Sequence, residues 1–250
     1  MTRLKTAISL FVIMLMTIAR VMAQDYLHDI QDIATSEKAT LKKAWLKRAS
    51  GLENNYDLKY HRFNWKVDPA VHYISGSVTS YFTSKEPTIR RVQFELAANM
   101  TVDSAWSNAT SASFTHEGSL VTIHLNNELH FNELDSVSVY YHGEPTETGF
   151  GSFSTGKHEE TPVLWTLSEP YGASEWWPSK NDLTDKIDSI DVYVTHPKEN
   201  LTASNGLLIS ELPLDDRNVI THWKHRYPVA VYLIAIAVTN YARFTDVYES

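Results

Sequence analysis

Alternation of apolar and polar residues with a period of two runs through much of this 250-residue chain. Residues 56–65 alternate throughout, and residues 78–82, 92–96, 120–125 and 137–141 repeat the pattern. Successive side chains of a strand point to opposite faces, so each segment predicts a strand with one buried face. The fold is therefore predicted to be mainly β, as an antiparallel sheet or sandwich domain.

Turn-forming residues separate the strands at intervals of about ten residues, which is typical of a sandwich or barrel. Strands alternating with helices would need longer intervals. The predicted turns lie at Asp68-Pro69, Ser75-Gly76, Glu86-Pro87, Glu117-Gly118 and Gly143-Glu144-Pro145.

The second half of the chain continues the β pattern with one interruption. Residues 149–160 carry glycines and charges, and we expect a mobile surface loop there. Strands are predicted at residues 163–166, 189–195 and 219–223. Residues 229–238 are continuously apolar, which predicts a strand buried on both faces.

The first residues have the layout of a secretory signal peptide. Arg3 and Lys5 precede an apolar stretch at residues 7–18, and Ala23 ends a run of small residues. An uncleaved membrane anchor is the alternative, but the stretch is shorter than the ~20 residues that span a bilayer. We therefore predict a signal peptide at residues 1–23, export of the protein, and no membrane span after cleavage.

A short helical segment is predicted next, at residues 24–52. Leu27, Ile30 and Ile33 recur at helical spacing, and Gly51 is a plausible helix end. The remainder, residues 53–250, is predicted to be one β domain.

Charge and cysteine content exclude several classes of protein. The chain has 22 Lys and Arg against 30 Asp and Glu, a net charge of -8. A nucleic-acid partner is not expected, because neutralising phosphates requires clustered basic residues. With no cysteine, neither disulfides nor thiolate ligands are available, and stability has to come from burial of a core.

Histidine spacing indicates no metal site in this chain. The helical zinc hydrolases need two His four residues apart with Glu next to the first, and neither His116 nor His158 has a second His at that distance. His222 and His225 are three apart in an alternating segment, which places them on opposite faces of a strand. Phosphate loops, nucleophile elbows and dinucleotide fingerprints are also missing from the sequence.

An aromatic and acidic segment at residues 165–182 is the strongest candidate for a binding site. Tyr171, Trp176 and Trp177 lie among prolines and carboxylates. Such a group could form an exposed platform for a cation, a peptide or a sugar. The alternative is that the rings cover the sheet, which is the commoner place for large aromatic side chains.

The same segment resembles the N-terminal domain of zinc aminopeptidases of the aminopeptidase N type, a gluzincin metallopeptidase family. Further agreement occurs at residues 56–69, 74–79, 149–153 and 227–241, so the resemblance covers nearly all of the chain from residue 56. The family pattern is matched in order by Thr166, Glu169, Pro170, Ala173, Pro178, Asp182, Asp185 and Lys186.

The resemblance implies a saddle-shaped set of β-sheets that caps a separate, thermolysin-like zinc domain. That second domain carries the His-Glu-x-x-His zinc site and a Gly-x-Met-Glu-Asn motif, and neither occurs in these residues. We therefore expect the zinc ion and the catalytic residues in a domain after residue 250. The 250 residues alone are expected to have no peptidase activity, although the whole protein would be a zinc aminopeptidase.

By resemblance, Glu169 binds the free α-amino group of a peptide substrate, with Leu167 and Tyr171 beside it. An ionised carboxylate pairs with an ammonium group through charge-assisted hydrogen bonds, which would select free N-termini. The sequence departs from the family pattern at Leu167, which replaces Gln, and at Ser174, which replaces Arg. The functional alternative is a secreted β-domain that binds peptide or glycan without catalysis.

Overall fold

A computed structural model describes residues 52–146 and 152–244. Strands dominate these residues, so the prediction of a mainly β fold is confirmed. The predicted signal peptide and nearly all of the predicted helical segment lie outside the described residues and stay predictions. Within the described ranges, no helix is long and apolar enough to cross a membrane.

Fifteen strands are present in the described part of the chain. They are β1 (Tyr56–Asp68), β2 (Val71–Ser84), β3 (Thr88–Glu95), β4 (Thr101–Ser107), β5 (Thr110–Ala112), β6 (Phe114–Glu117), β7 (Leu120–His130), β8 (Leu134–Gly143), β9 (Phe153–His158), β10 (Thr161–Thr166), β11 (Ser189–Pro197), β12 (Leu201–Ser204), β13 (Leu207–Pro213), β14 (Asn218–His225) and β15 (Ile236–Thr239).

The strands form three sheets. The largest has eight strands in the order β13-β14-β11-β1-β2-β8-β4-β5, and the others are β12-β15-β10-β9 and β3-β7-β6. Neighbouring strands are antiparallel except β1 and β11, which pair in parallel with Phe63 opposite Val192. The predicted antiparallel system therefore contains one parallel pair, formed between distant parts of the chain.

One cluster of buried side chains includes residues of all three sheets. On β1, Phe63 and Trp65 are fully buried while Arg62 and Asn64 are exposed, as the period of two predicts. The eight-stranded sheet thus has an inner face directed into the core and an outer face that carries polar and aromatic side chains.

Gly76 lies in the middle of β2 and does not form the predicted turn. It pairs with Trp65 of β1, and its φ is +154°. A Cβ atom at this position would lie 2.0 Å from the carbonyl oxygen of Asn64. Close approach of the two strands, and not chain reversal, is the reason for glycine here.

Two further predictions for the second half of the chain are wrong. Residues 153–158, part of the expected loop, form strand β9 because β10 offers them an antiparallel partner. The apolar run at residues 229–238 is not one strand, since Val231–Leu233 forms a short 3-10 helix and only the end belongs to β15. Leu233 is 51% exposed, so the run is not buried throughout.

Candidate functional site

The segment between β10 and β11 contains the candidate site. It begins with a tight turn directly after β10, in which the Gly172 N–H donates to the Ser168 carbonyl at 2.7 Å. The Leu167 N–H donates to the Ser152 carbonyl at 3.1 Å, which fixes the start of the turn to the residue preceding β9. The Glu169–Pro170 peptide bond within the turn is cis.

The three side chains predicted for substrate binding lie on this turn. Glu169 is exposed and makes no hydrogen bond or ion pair with the described residues. Leu167 is 43% exposed, and Tyr171 is half-buried. The turn therefore presents a carboxylate to solvent, with an apolar side chain two residues before it and an aromatic ring two residues after it.

Of the two alternatives for the aromatic rings, burial against the sheet is the one that the two tryptophans adopt. Trp176 and Trp177 are both fully buried. The Trp177 ring packs edge-on against Phe63 at 5.0 Å between centroids, and Trp176 packs against Trp65 at 4.7 Å. Their large apolar surface fills the core beneath the inner face of the eight-stranded sheet, which favours burial over exposure.

Trp176 also connects the core to the turn. Its indole N–H donates to the hydroxyl oxygen of Ser168 at 2.9 Å, and both side chains are buried. Ser168 immediately precedes Glu169, so a fully buried ring holds the residue next to the exposed carboxylate. A buried hydrogen bond of this kind stabilises one conformation of the turn.

Ser152 and Glu175 form a second connection behind the turn. The Ser152 hydroxyl donates to the buried Glu175 carboxylate at 2.5 Å. Gly172 lies so close that a Cβ atom there would be 2.2 Å from the Ser152 hydroxyl oxygen. The family resemblance included Ser152 but matched neither Gly172 nor Glu175, and only the structure shows that the three touch.

Lys180 fixes the later part of the segment. Its side chain is fully buried, forms an ion pair with Asp185, and donates to the Tyr56 carbonyl at 2.7 Å. Asp185 also accepts the Leu58 N–H at 3.2 Å, which joins the segment to β1. Burial lowers the pKa of Lys180, and the charge of Asp185 opposes that shift. Sequence matching had singled out Asp185 but not Lys180.

The described residues do not fit a zinc ion. They contain no group of three or more His, Asp or Glu side chains placed to hold a metal. His222 instead contacts the Asp191 carboxylate at 2.6 Å, and the His225 ring packs against Tyr227. No step of catalysis is therefore assigned to a metal bound by these residues.

The described residues thus define a β domain of three sheets with an exposed acidic turn between β10 and β11. The family model of the Peptidase M1 N-terminal domain matches residues 53–233. The chain belongs to this family. A search of curated proteins by sequence gives no match.

Solved structures of M1 enzymes share the fold. An M1 zinc metallopeptidase from Deinococcus radiodurans has 22% identity and a TM-score of 0.66, and the match covers 75% of this chain and 43% of that one. A mutant of it was solved with a Tyr-Ser-Ala substrate. Leukotriene A4 hydrolase from Saccharomyces cerevisiae has 17% identity and a TM-score of 0.60, with 74% and 29% covered. The chain therefore spans less than half the length of these structures.

Proposed function

We propose that this chain is the N-terminal substrate-capping domain of an exported zinc-dependent aminopeptidase, which removes N-terminal amino acids from peptides. The family match over residues 53–233 carries the proposal. The exposed carboxylate of Glu169 supports a part in substrate binding, because the turn that carries it is held by a hydrogen bond from the buried Trp176 ring. A downstream catalytic domain would be the partner of this domain and would bind the zinc ion.

Glu169 would act by binding the α-amino group of the substrate. Its carboxylate is exposed and has no competing partner among the described residues, so its oxygens can accept hydrogen bonds from an ammonium group. An internal peptide bond offers no such cation, which gives the preference for free N-termini. Zinc in the downstream domain would supply activation of water for attack on the first peptide bond.

Leu167 and Tyr171 would shape the surroundings of the bound amino group. Leu167 offers an apolar side chain where the family pattern has Gln, so this protein would hold the amino group with one polar side chain fewer. The hydrogen bond from the Gly172 N–H to the Ser168 carbonyl closes the turn in which Glu169 lies between these two neighbours. Holding the substrate in one orientation is the expected contribution of the turn to the rate.

The substitution Glu169→Gln tests the role of the carboxylate in the full-length enzyme. We expect kcat/KM for aminoacyl substrates to fall roughly 10- to 150-fold, which corresponds to the 1.5–3 kcal/mol of a hydrogen bond to a charged group. Glu159→Gln is the matched control, because Glu159 is an exposed carboxylate at the far end of the β9-β10 hairpin. Steady-state kinetics on a chromogenic aminoacyl substrate measure both variants.

An unchanged kcat/KM for Glu169→Gln would remove Glu169 from the substrate site. The 250-residue chain incubated alone with zinc and the same substrate is the blank of the assay. Turnover of this blank that a chelator abolishes would contradict the assignment of catalysis to a downstream domain.

Export is tested by the N-terminus of the mature protein. If residues 1–23 are removed during secretion, N-terminal sequencing of the exported protein begins at Gln24. Retention of Met1 on a membrane-bound product would instead support an uncleaved anchor.

A further inference from the structure

The outer face of the eight-stranded sheet contains a depression of about 480 Å³. It lies over the middle strands β1, β2 and β8 together with β4, and it opens to solvent on the side away from the core. Its lining includes Asn64, Tyr73, Ser75, Ser77, Tyr140 and His142. A volume of this size falls within the range of about 300–1,000 Å³ typical of small-ligand clefts.

Strand alternation explains why these residues share one face. On β2, Tyr73 and Ser75 flank the buried Ile74, and on β8, Tyr140 pairs with Ser77 while the neighbouring Tyr141 is buried. The depression is therefore built by the regular pleat of the sheet and not by a loop.

Aromatic rings form much of its surface. Tyr73 is 37% exposed and Tyr140 is 45% exposed, and the Tyr73 ring lies 6.2 Å from that of His142. Trp106, 39% exposed, extends the aromatic surface on β4, two residues along from Ser104, which pairs with Tyr140. Large exposed rings grouped on one face of a domain indicate a recognition surface.

The one carboxylate that lines the depression is hydrogen-bonded to a neighbouring imidazole. Asp103 and His142 are the two lining residues with a carboxylate or an imidazole, and their side chains contact each other at 3.0 Å. The rest of the polar surface consists of hydroxyl groups and the Asn64 amide, which donates to the Ser77 hydroxyl at 3.4 Å. Such groups select a ligand through neutral donors and acceptors.

We propose that this depression binds a neutral oligosaccharide. A pyranose ring has a face of C–H groups that packs on the electron-rich face of an aromatic ring, and Tyr73, Tyr140 and Trp106 offer such rings. Its hydroxyl groups match the half-buried Ser75 hydroxyl and the exposed Asn64 amide along the depression. The site holds a glycan through side chains alone and makes no covalent step.

An extended peptide fits this surface less well. Peptides commonly bind sheets by adding a strand at an edge, where backbone N–H and C=O groups are free. Here β2 and β8 are interior strands whose backbone groups pair on both sides. No lysine or arginine lines the depression and its one carboxylate already contacts His142, so it offers little to the charged termini of a short peptide.

The glycan site is independent of the Glu169 turn. Trp176 and Trp177, which support that turn, pack on the inner face of the sheet against Trp65 and Phe63. The depression lies on the outer face. A ligand could therefore occupy it while a peptide is bound at Glu169, and the enzyme would be held near glycan-bearing material.

The proposal is tested by isothermal titration calorimetry on the 250-residue chain. The ligands are four neutral hexasaccharides, of glucose, xylose, mannose and N-acetylglucosamine. We expect at least one of them to bind with a Kd of about 1 mM or tighter. Tyr140→Ala and Tyr73→Ala should each weaken that binding at least tenfold. Tyr227→Ala, which removes a 74% exposed ring outside the depression, should leave the affinity unchanged.

The outcomes separate a glycan site from its rivals. Absence of binding by all four hexasaccharides would overturn the proposal, and so would equal losses in Tyr140→Ala and Tyr227→Ala. Binding of a neutral hexapeptide with the same dependence on Tyr140, in place of a sugar, would overturn it in favour of a peptide site. If Tyr140→Ala does not fold, Ser75→Arg, which fills the depression from a half-buried position, replaces it and should abolish binding.

Discussion

Lys180→Met is expected to lower the free energy of unfolding by about 3–5 kcal/mol, the usual cost of breaking a buried ion pair. The substitution leaves the Asp185 carboxylate buried without its cation, and it removes the donor to the Tyr56 carbonyl. It also removes the cation that lies 4.3 Å from the centroid of the Tyr56 ring. Urea denaturation of the 250-residue chain measures the loss as a lower midpoint.

The double variant Lys180→Met/Asp185→Asn identifies the source of that loss. Asparagine keeps an acceptor for the Leu58 N–H and removes the stranded charge, so the double variant should recover much of the stability. Lys186→Met, at an exposed lysine of the same segment, is the matched control and should be nearly neutral. Equal losses in the single and double variants would show that the unpaired charge is not the cause.

Two of the buried connections, Trp176 with Ser168 and Lys180 with Asp185, act on different parts of the segment that carries Glu169. Trp176 holds the turn through Ser168, whereas Lys180 and Asp185 hold the later residues to β1. In the full enzyme, Lys180→Met should therefore lower the free energy of unfolding more than it changes substrate binding, because the Lys180 ion pair does not hold the turn that carries Glu169.

Local pattern was sufficient to predict most of the strands. The alternation at residues 56–65 and 137–141 corresponds to β1 and β8, because each has one face in the core and one in solvent. Continuous apolarity at residues 229–238 carried no such period, so pattern could not reveal that the chain turns through a 3-10 helix there. The polar strand β9 was missed because its partner β10, and not its own apolar face, stabilises it.

The candidate site was predictable only in part. Family resemblance singled out Glu169, Leu167 and Tyr171 because they are neighbours in a short motif. Several contacts that fix the segment were not predictable, since they join residues far apart in the chain, as do Ser152 with Glu175 and Lys180 with Tyr56. Composition also could not distinguish a buried Trp176 from an exposed one, because the same ring serves a core and a binding surface equally well.

His61 is expected to make the domain sensitive to acid. The ring is fully buried on β1 beside Phe63 and Trp177, and neither nitrogen has a hydrogen-bond partner among the described residues. Burial lowers the pKa of His61 to about 3, and the nearby Thr79 backbone opposes this without reaching hydrogen-bond geometry. The folded protein therefore keeps the imidazole neutral where the unfolded chain protonates it.

The sign of the effect follows from the two pKa values. The unfolded chain binds a proton at His61 as the pH falls through about 6.5, whereas the folded protein does so only near 3. The contribution of His61 to stability is thus fully present above about pH 6.5 and falls by about 1.4 kcal/mol per pH unit between pH 6.5 and pH 3. Between pH 6.5 and pH 4 the loss from this one residue amounts to roughly 3 kcal/mol.

Replacing His61 by Phe isolates this contribution from other titrating groups. Phenylalanine keeps an aromatic ring against Phe63 and Trp177 but cannot be protonated, so the variant should lose less stability than the parent on acidification. Urea denaturation measures the unfolding free energies of the parent and the variant between pH 8 and pH 4. Their difference should change by roughly 3 kcal/mol, nearly all of it below about pH 6.5.

His124→Phe, at an exposed position of β7, is the control and should leave the pH dependence of the parent unaltered. A constant difference between the parent and His61→Phe across this range would mean that His61 is protonated equally in both states, so its burial would not be the source of acid sensitivity.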